Sequence, residues 1–182
     1  NIADLKAQIA SVVRGADELK RLVAHYGRDG VTAYMGHVQD NAEEQIKRVI
    51  DTLRPGAFAV QMDSGATVRV TVTPNHAART VRVDFTGTSP QQESNFNAPL
   101  AITRAATLYV FRTLVNDNIP LNEGCLNPIE IVVPAGSLLN PKRGAAVVAG
   151  NVETSQIVVD TLYGALGAMA APFIQIAGAP LQ

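Results

Sequence analysis

The densest run of groups able to do chemistry lies late in the chain, at Gly150-Asn151-Val152-Glu153-Thr154-Ser155-Gln156. An amide, a carboxylate and a hydroxyl fall there on alternate residues. Apolar Ile157, Val158, Leu162 and Ala165 follow at helical spacing. The residues before it, 140–149, read as a turn and a short buried strand. Gly150 stands at the bend and Asn151 takes the N-cap of the next helix. Glu153 falls in the first turn, where negative charge complements the helix dipole. Such a junction gathers backbone donors and small polar groups at one point, which makes Asn151, Glu153 and Ser155 the candidate catalytic residues. The same spacing builds an ordinary strand–helix junction, and the residue pattern leaves both readings open.

Two other polar loops supply candidate substrate-binding residues. Asn95 and Asn97 close the loop 86–97, and Glu123 lies in the loop 121–128. Arg104 sits near the start of the intervening helix, where it either binds a carboxylate or extends to solvent. Amides and carboxylates at element ends suit hydrogen bonding to an amide- or carboxylate-bearing ligand, and they equally suit caps and turns.

Several chemistries are excluded by pattern. The chain has no G-x-x-x-x-G-K-[ST] or G-x-G-x-x-G phosphate loop, and no G-x-S-x-G surrounds Ser155. No pair of His or Cys has metal-ligand spacing, and His25 and His37 read as solitary helix histidines. Cys125 has the negative Glu123 beside it rather than a cation that would favour a thiolate, so it reads as structural. The net charge is −1 with no basic face, which argues against nucleic acid. A single cysteine precludes an internal disulfide and fits a reducing, cytoplasmic setting. No basic-then-apolar leader opens the chain. Residues 161–182 carry no charge, but Pro172, Gln175 and Pro180 make a poor membrane span. That run reads as a buried helix followed by a strand, and both chain ends read as cut from a longer protein.

The elements that must position these residues are legible from periodicity. With 182 residues, 47% hydrophobic and 17% charged, the chain is globular. A first helix over about 3–26 carries Leu5, Ile9, Val12, Ala16, Leu19 and Val23 as a buried stripe. Gly27 closes it, and Asp29 caps a second helix carrying Val31, Met35, Val38, Ala42, Ile46, Val49 and Leu53. Residues 1–54 therefore form an antiparallel helical hairpin that packs on itself and on something further, another subunit included. From residue 55 the period changes to two. Phe58/Val60/Met62, Val68/Val70/Val72 and Val81/Val83/Phe85 predict an antiparallel meander with one core face. Asn97 and Pro99 start a buried central helix reaching about Val115, and Ile129, Ile131 and Val133 form a strand. The fold class is α+β: helical hairpin, antiparallel β meander, buried central helix, then a strand–helix unit, with residues 55–182 part of a larger domain.

Five ordered blocks carry a resemblance. They are Asn1-Ile2-Ala3-Asp4-Leu5-Lys6-Ala7-Gln8, Asp84-Phe85-Thr86-Gly87-Thr88-Ser89, Asn97-Ala98-Pro99-Leu100-Ala101, Ile119-Pro120-Leu121-Asn122-Glu123-Gly124-Cys125, and Ala149 through Gln156. Over the chain to about Leu166 they resemble the hydantoinase B/5-oxoprolinase family, of which this chain looks like a middle segment. The resemblance implies an ATP-dependent hydrolase of cyclic amides, a 5-oxoprolinase or N-methylhydantoinase component. An A-type ATPase subunit or domain carries ATP and magnesium and activates the small-molecule substrate, in a homo- or hetero-oligomer. Acetone and acetophenone carboxylase subunits are the alternative within the family, and a non-catalytic scaffold is the other. The family's His/Asp metal motifs lie N-terminal to the matched region, so the resemblance brings no metal to this chain. It departs from the family at Ile157, where the pattern has arginine after Gln156, and again beyond Leu166.

Overall fold

The computed structural model describes residues 2–117 and 119–167. Four strands form one sheet in the order β1-β2-β3-β4: β1 (Gly56–Gln61), β2 (Thr67–Asn75), β3 (Thr80–Asp84) and β4 (Ile129–Val132). The first three are the predicted antiparallel meander, with Val70 opposite Phe58 and Val72 opposite Val83. β4 joins β3 in parallel, setting Val83 beside Ile131. The alternation does what period two requires: Val68, Val70, Val72, Val81 and Val83 are all buried on one face, while Arg69, Thr71 and Arg82 face water. On the wet face Arg82 pairs with Glu130 across to β4, tying the two strands, and with Asp84 along its own strand.

The helices are α1 (Ile2–Tyr26), α2 (Arg28–Ile50), α3 (Leu100–Thr113) and α4 (Ser155–Ala165). One core joins the valines of the sheet to Ala42, Ile46 and Ile50 of α2, Val110 and Phe111 of α3, and Val158 and Leu162 of α4. α4 lies tightly on β1. A Cβ at Gly164 would overlap the Phe58 ring, and one at Gly56 would overlap the Ala165 carbonyl. Arg79, in the β2–β3 turn, forks onto Glu44 and Asp51 and fastens that turn to α2. Cys125 is buried as a free thiol in a short 3-10 turn, Glu123–Leu126, as its structural reading required.

Four local expectations are corrected. The apolar stripe of α1 exists but is not buried: Leu5, Ile9, Val12 and Leu19 are 44% or more exposed, and α1 contributes no buried residue. Periodicity identifies an apolar face without saying what covers it. On α2 only the C-terminal half of the stripe, from Ala42 onward, reaches the core. The cap of α2 is Gly27 (φ +76°) rather than Asp29, which lies in the first helical turn. Residues 145–149 form no strand, and Val148 is 74% exposed. Their backbone bonds to a loop instead of a ladder. The expected strand in the run 161–182 lies outside the described residues beyond Gly167. Among the described residues no helix is long and apolar enough to cross a membrane.

Candidate functional site

Gly150–Thr154 folds as one wide π-helical turn feeding directly into α4. The Ser155 N–H reaches back to the Gly150 carbonyl, five residues earlier. Such turns are strained relative to an α-helix and often mark functional positions. The turn is held from outside by the loop 92–97. The Ala149 N–H donates to the Asn95 carbonyl at 3.0 Å, and the Thr154 hydroxyl donates to the Phe96 carbonyl. Gly150 is pressed so close to Asn97 that a Cβ there would stand within 2.9 Å of three backbone atoms of Asn97 and Ala98. Glycine is required at 150 by this approach.

Asn151 is inside the turn and not its cap: Ala149 holds that place, and no side chain caps the turn. The Ser155 hydroxyl donates back to the Asn151 carbonyl at 2.9 Å. Asn97 is fully buried and holds the loop. Its Oδ1 accepts from the Gln92 N–H at 2.8 Å, and its Nδ2 lies 2.9 Å from the carbonyls of Gln92, Ser94 and Ala146. It does not start α3, whose N-cap is Pro99. Asn95 is exposed at the loop tip.

A groove of about 450 Å³ runs between α3 and α4. Ile102, Ala105, Ala106 and Tyr109 form the α3 wall. Asn151, Ser155, Gln156, Val159 and Asp160 form the other. Two of the three candidate catalytic residues thus face it, and Glu153 is exposed beside it. Arg104 points to the other side of α3 and pairs with Glu123 at 2.9 Å. These two substrate-binding candidates meet each other, away from the groove, as a pair exposed by 46% and 64%. Such an exposed pair contributes little to stability.

Sequence reasoning missed Asp160. It is half-buried, has no hydrogen-bond or ion-pair partner among the described residues, and its carboxyl is pushed above the usual aspartate range by burial. A signal existed: it is the only charged residue between Glu153 and the end of the chain. A carboxyl raised by burial costs nothing where both states are protonated. Its penalty grows as pH rises from the unfolded aspartate pKa to the higher folded value, then stays constant. Asp160→Asn is therefore expected to raise the melting temperature at pH 7 and to lose that advantage near pH 3, as read by thermal melts at the two pH values. Among the described residues no cluster of three or more His, Cys, Asp or Glu could hold a metal ion.

Residues 1–179 match the family described as hydantoinase B/oxoprolinase. The chain belongs to that family. A 5-oxoprolinase from Arabidopsis thaliana is 43% identical over 93% of the chain, and one from Saccharomyces cerevisiae 42% identical over 93%. The B-type component of a putative D-/L-hydantoinase from a Pseudomonas strain is 31% identical over 91%. The chain spans 15% and 14% of the two oxoprolinases and 31% of the hydantoinase component. The hydantoinase B fold recurs in an ATP-dependent caprolactamase from Pseudomonas jessenii, with TM-score 0.71 and 20% identity over 93% of this chain and 30% of that one. It recurs again in an acetone carboxylase, with TM-score 0.58 and 18% identity over 81% of this chain and 22% of that one.

Proposed function

We propose that this hydantoinase B segment works within an ATP-dependent hydrolase of cyclic amides, of the 5-oxoprolinase type. The observation that carries the reading is the sustained 43% and 42% identity to 5-oxoprolinases along 93% of the chain, against 31% to the hydantoinase component. ATP and magnesium belong to an A-type ATPase partner or domain, in keeping with a sequence that carries no phosphate-binding loop. Any metal belongs to a region outside the segment. The working assembly is a homo- or hetero-oligomer in the cytoplasm. This segment's contribution is to bind and orient. Asn151 and Ser155, on the groove wall, and Glu153 beside it, hold the ring carbonyl and a water by preorganised hydrogen bonds.

The test is ATP hydrolysis by the complete protein with its ATPase, given 5-oxoproline, a hydantoin, or acetone with bicarbonate. Stimulation by 5-oxoproline is expected; stimulation by acetone with bicarbonate would transfer the protein to the carboxylases. In the same assay Asn151→Ala and Glu153→Ala are each expected to lower lactam-dependent turnover by about 100-fold. Unchanged turnover in a folded, assembled variant would remove that residue from the site.

A further inference from the structure

Gln156 and Asp160 are one helical turn apart on α4, and both line the α3–α4 groove. Residues at i and i+4 stand one above the other on a helix, with Cβ atoms about 5–6 Å apart. Neither side chain has a hydrogen-bond or ion-pair partner among the described residues. One is an acceptor and the other can donate. Opposite them Ile102, Ala105 and Ala106 offer an apolar wall, and no Lys or Arg lines the groove. Its volume of about 450 Å³ falls among small-molecule sites.

We propose that this groove receives the amide edge of a lactam ring, the Asp160 carboxylate accepting the ring N–H and the Gln156 side-chain amide donating to the ring carbonyl. The assignment rests on the cyclic-amide reading above and adds to it the residues that recognise the amide. A small ring locks its amide cis, so N–H and C=O leave from the same edge and meet an acceptor and a donor set side by side. A linear peptide amide is trans and presents them on opposite edges. The pair therefore selects lactams over open-chain amides, while the apolar wall covers the ring methylenes. An acidic substituent on the ring finds no cation here and is left to solvent or to the rest of the protein. Burial raises the cost of an unpaired Asp160 charge, and a ring N–H relieves it.

Two readouts on the complete protein separate this proposal from the proposed reaction. The first is binding of 2-pyrrolidinone, N-methyl-2-pyrrolidinone and N-methylacetamide, followed by ligand-observed NMR without ATP. The second is the KM for 5-oxoproline in ATP-dependent turnover. Wild type is expected to bind 2-pyrrolidinone at least about tenfold tighter than the N-methyl ring, which lacks the donor, and than the open-chain amide. Asp160→Leu should lose about tenfold or more in 2-pyrrolidinone affinity and raise KM similarly, without lowering the melting temperature. Asp160→Asn, which keeps an acceptor oxygen, should recover part of the affinity; Gln156→Leu should weaken binding as Asp160→Leu does. Equal affinity for all three probes, or an Asp160→Leu protein that binds and turns over normally, overturns the groove assignment and leaves the reaction standing. Selective, Asp160-dependent lactam binding without 5-oxoproline turnover overturns the reaction and leaves the groove. Absence of both overturns both.

Discussion

Asn97→Ala is expected to destabilise the protein by about 3–5 kcal/mol, the largest single effect of any residue around the π-turn. The side chain is completely buried, and every polar atom it carries is engaged with backbone. Truncation removes the partner of the Gln92 N–H and of the carbonyls of Gln92, Ser94 and Ala146. Each orphaned buried group costs roughly 1–3 kcal/mol unless water enters. Asn97→Asp is informative because it keeps the shape and the acceptor. It replaces the donor to three carbonyls with an oxygen that repels them, so it should be no milder than alanine. Urea denaturation read by circular dichroism checks both, and a loss under about 1 kcal/mol for alanine would show that the loop is held elsewhere.

Gly150→Ala is expected to cost about 3 kcal/mol and to uncouple the turn from the loop 92–97. The neighbours a new methyl would meet are the Asn97 carbonyl and the Ala98 Cα, which are backbone and cannot rotate away. Relief requires moving either the loop that Asn97 fastens or the start of α4, and α4 is itself pressed onto β1 through Gly164 and Phe58. The strain thus reaches the groove wall bearing Asn151, Ser155 and Asp160. Stability and lactam binding should fall together in this variant, in contrast with Asp160→Asn, which is expected to raise stability. Because Gly150 packs against the backbone of Asn97, the two substitutions share one structural unit. Their double variant should cost measurably less than the sum, a coupling that unrelated surface pairs lack.

The sequence by itself determined the elements whose signals are local. Alternating valines at 68/70/72 and 81/83 produced the meander because a pleated strand sends successive side chains to opposite faces. The apolar repeat of α1 and the glycine at its end marked that helix to within a residue. Family membership was carried by short ordered blocks, and the polar run at 151–156 placed two candidate residues, Asn151 and Ser155, on what proved to be the groove wall. The tertiary structure decided what depends on distant partners. Residues 145–149 look like a strand by composition but bond to the loop 92–97 instead of a ladder, the Ala149 N–H donating to the Asn95 carbonyl and the Ala146 carbonyl accepting from the Asn97 side-chain amide. The parallel partner of β3 arrives only some 45 residues later, so no local period could foretell it. Arg104 and Glu123 each suited a ligand until the fold brought them together. Asp160 lines a groove only because α3 lies across from it, leaving its carboxylate half-buried with no partner among the described residues. Periodicity records which way a side chain faces along its own element. What stands opposite is set by chain segments far away in sequence, and that opposition determines burial, charge pairing and the shape of the groove.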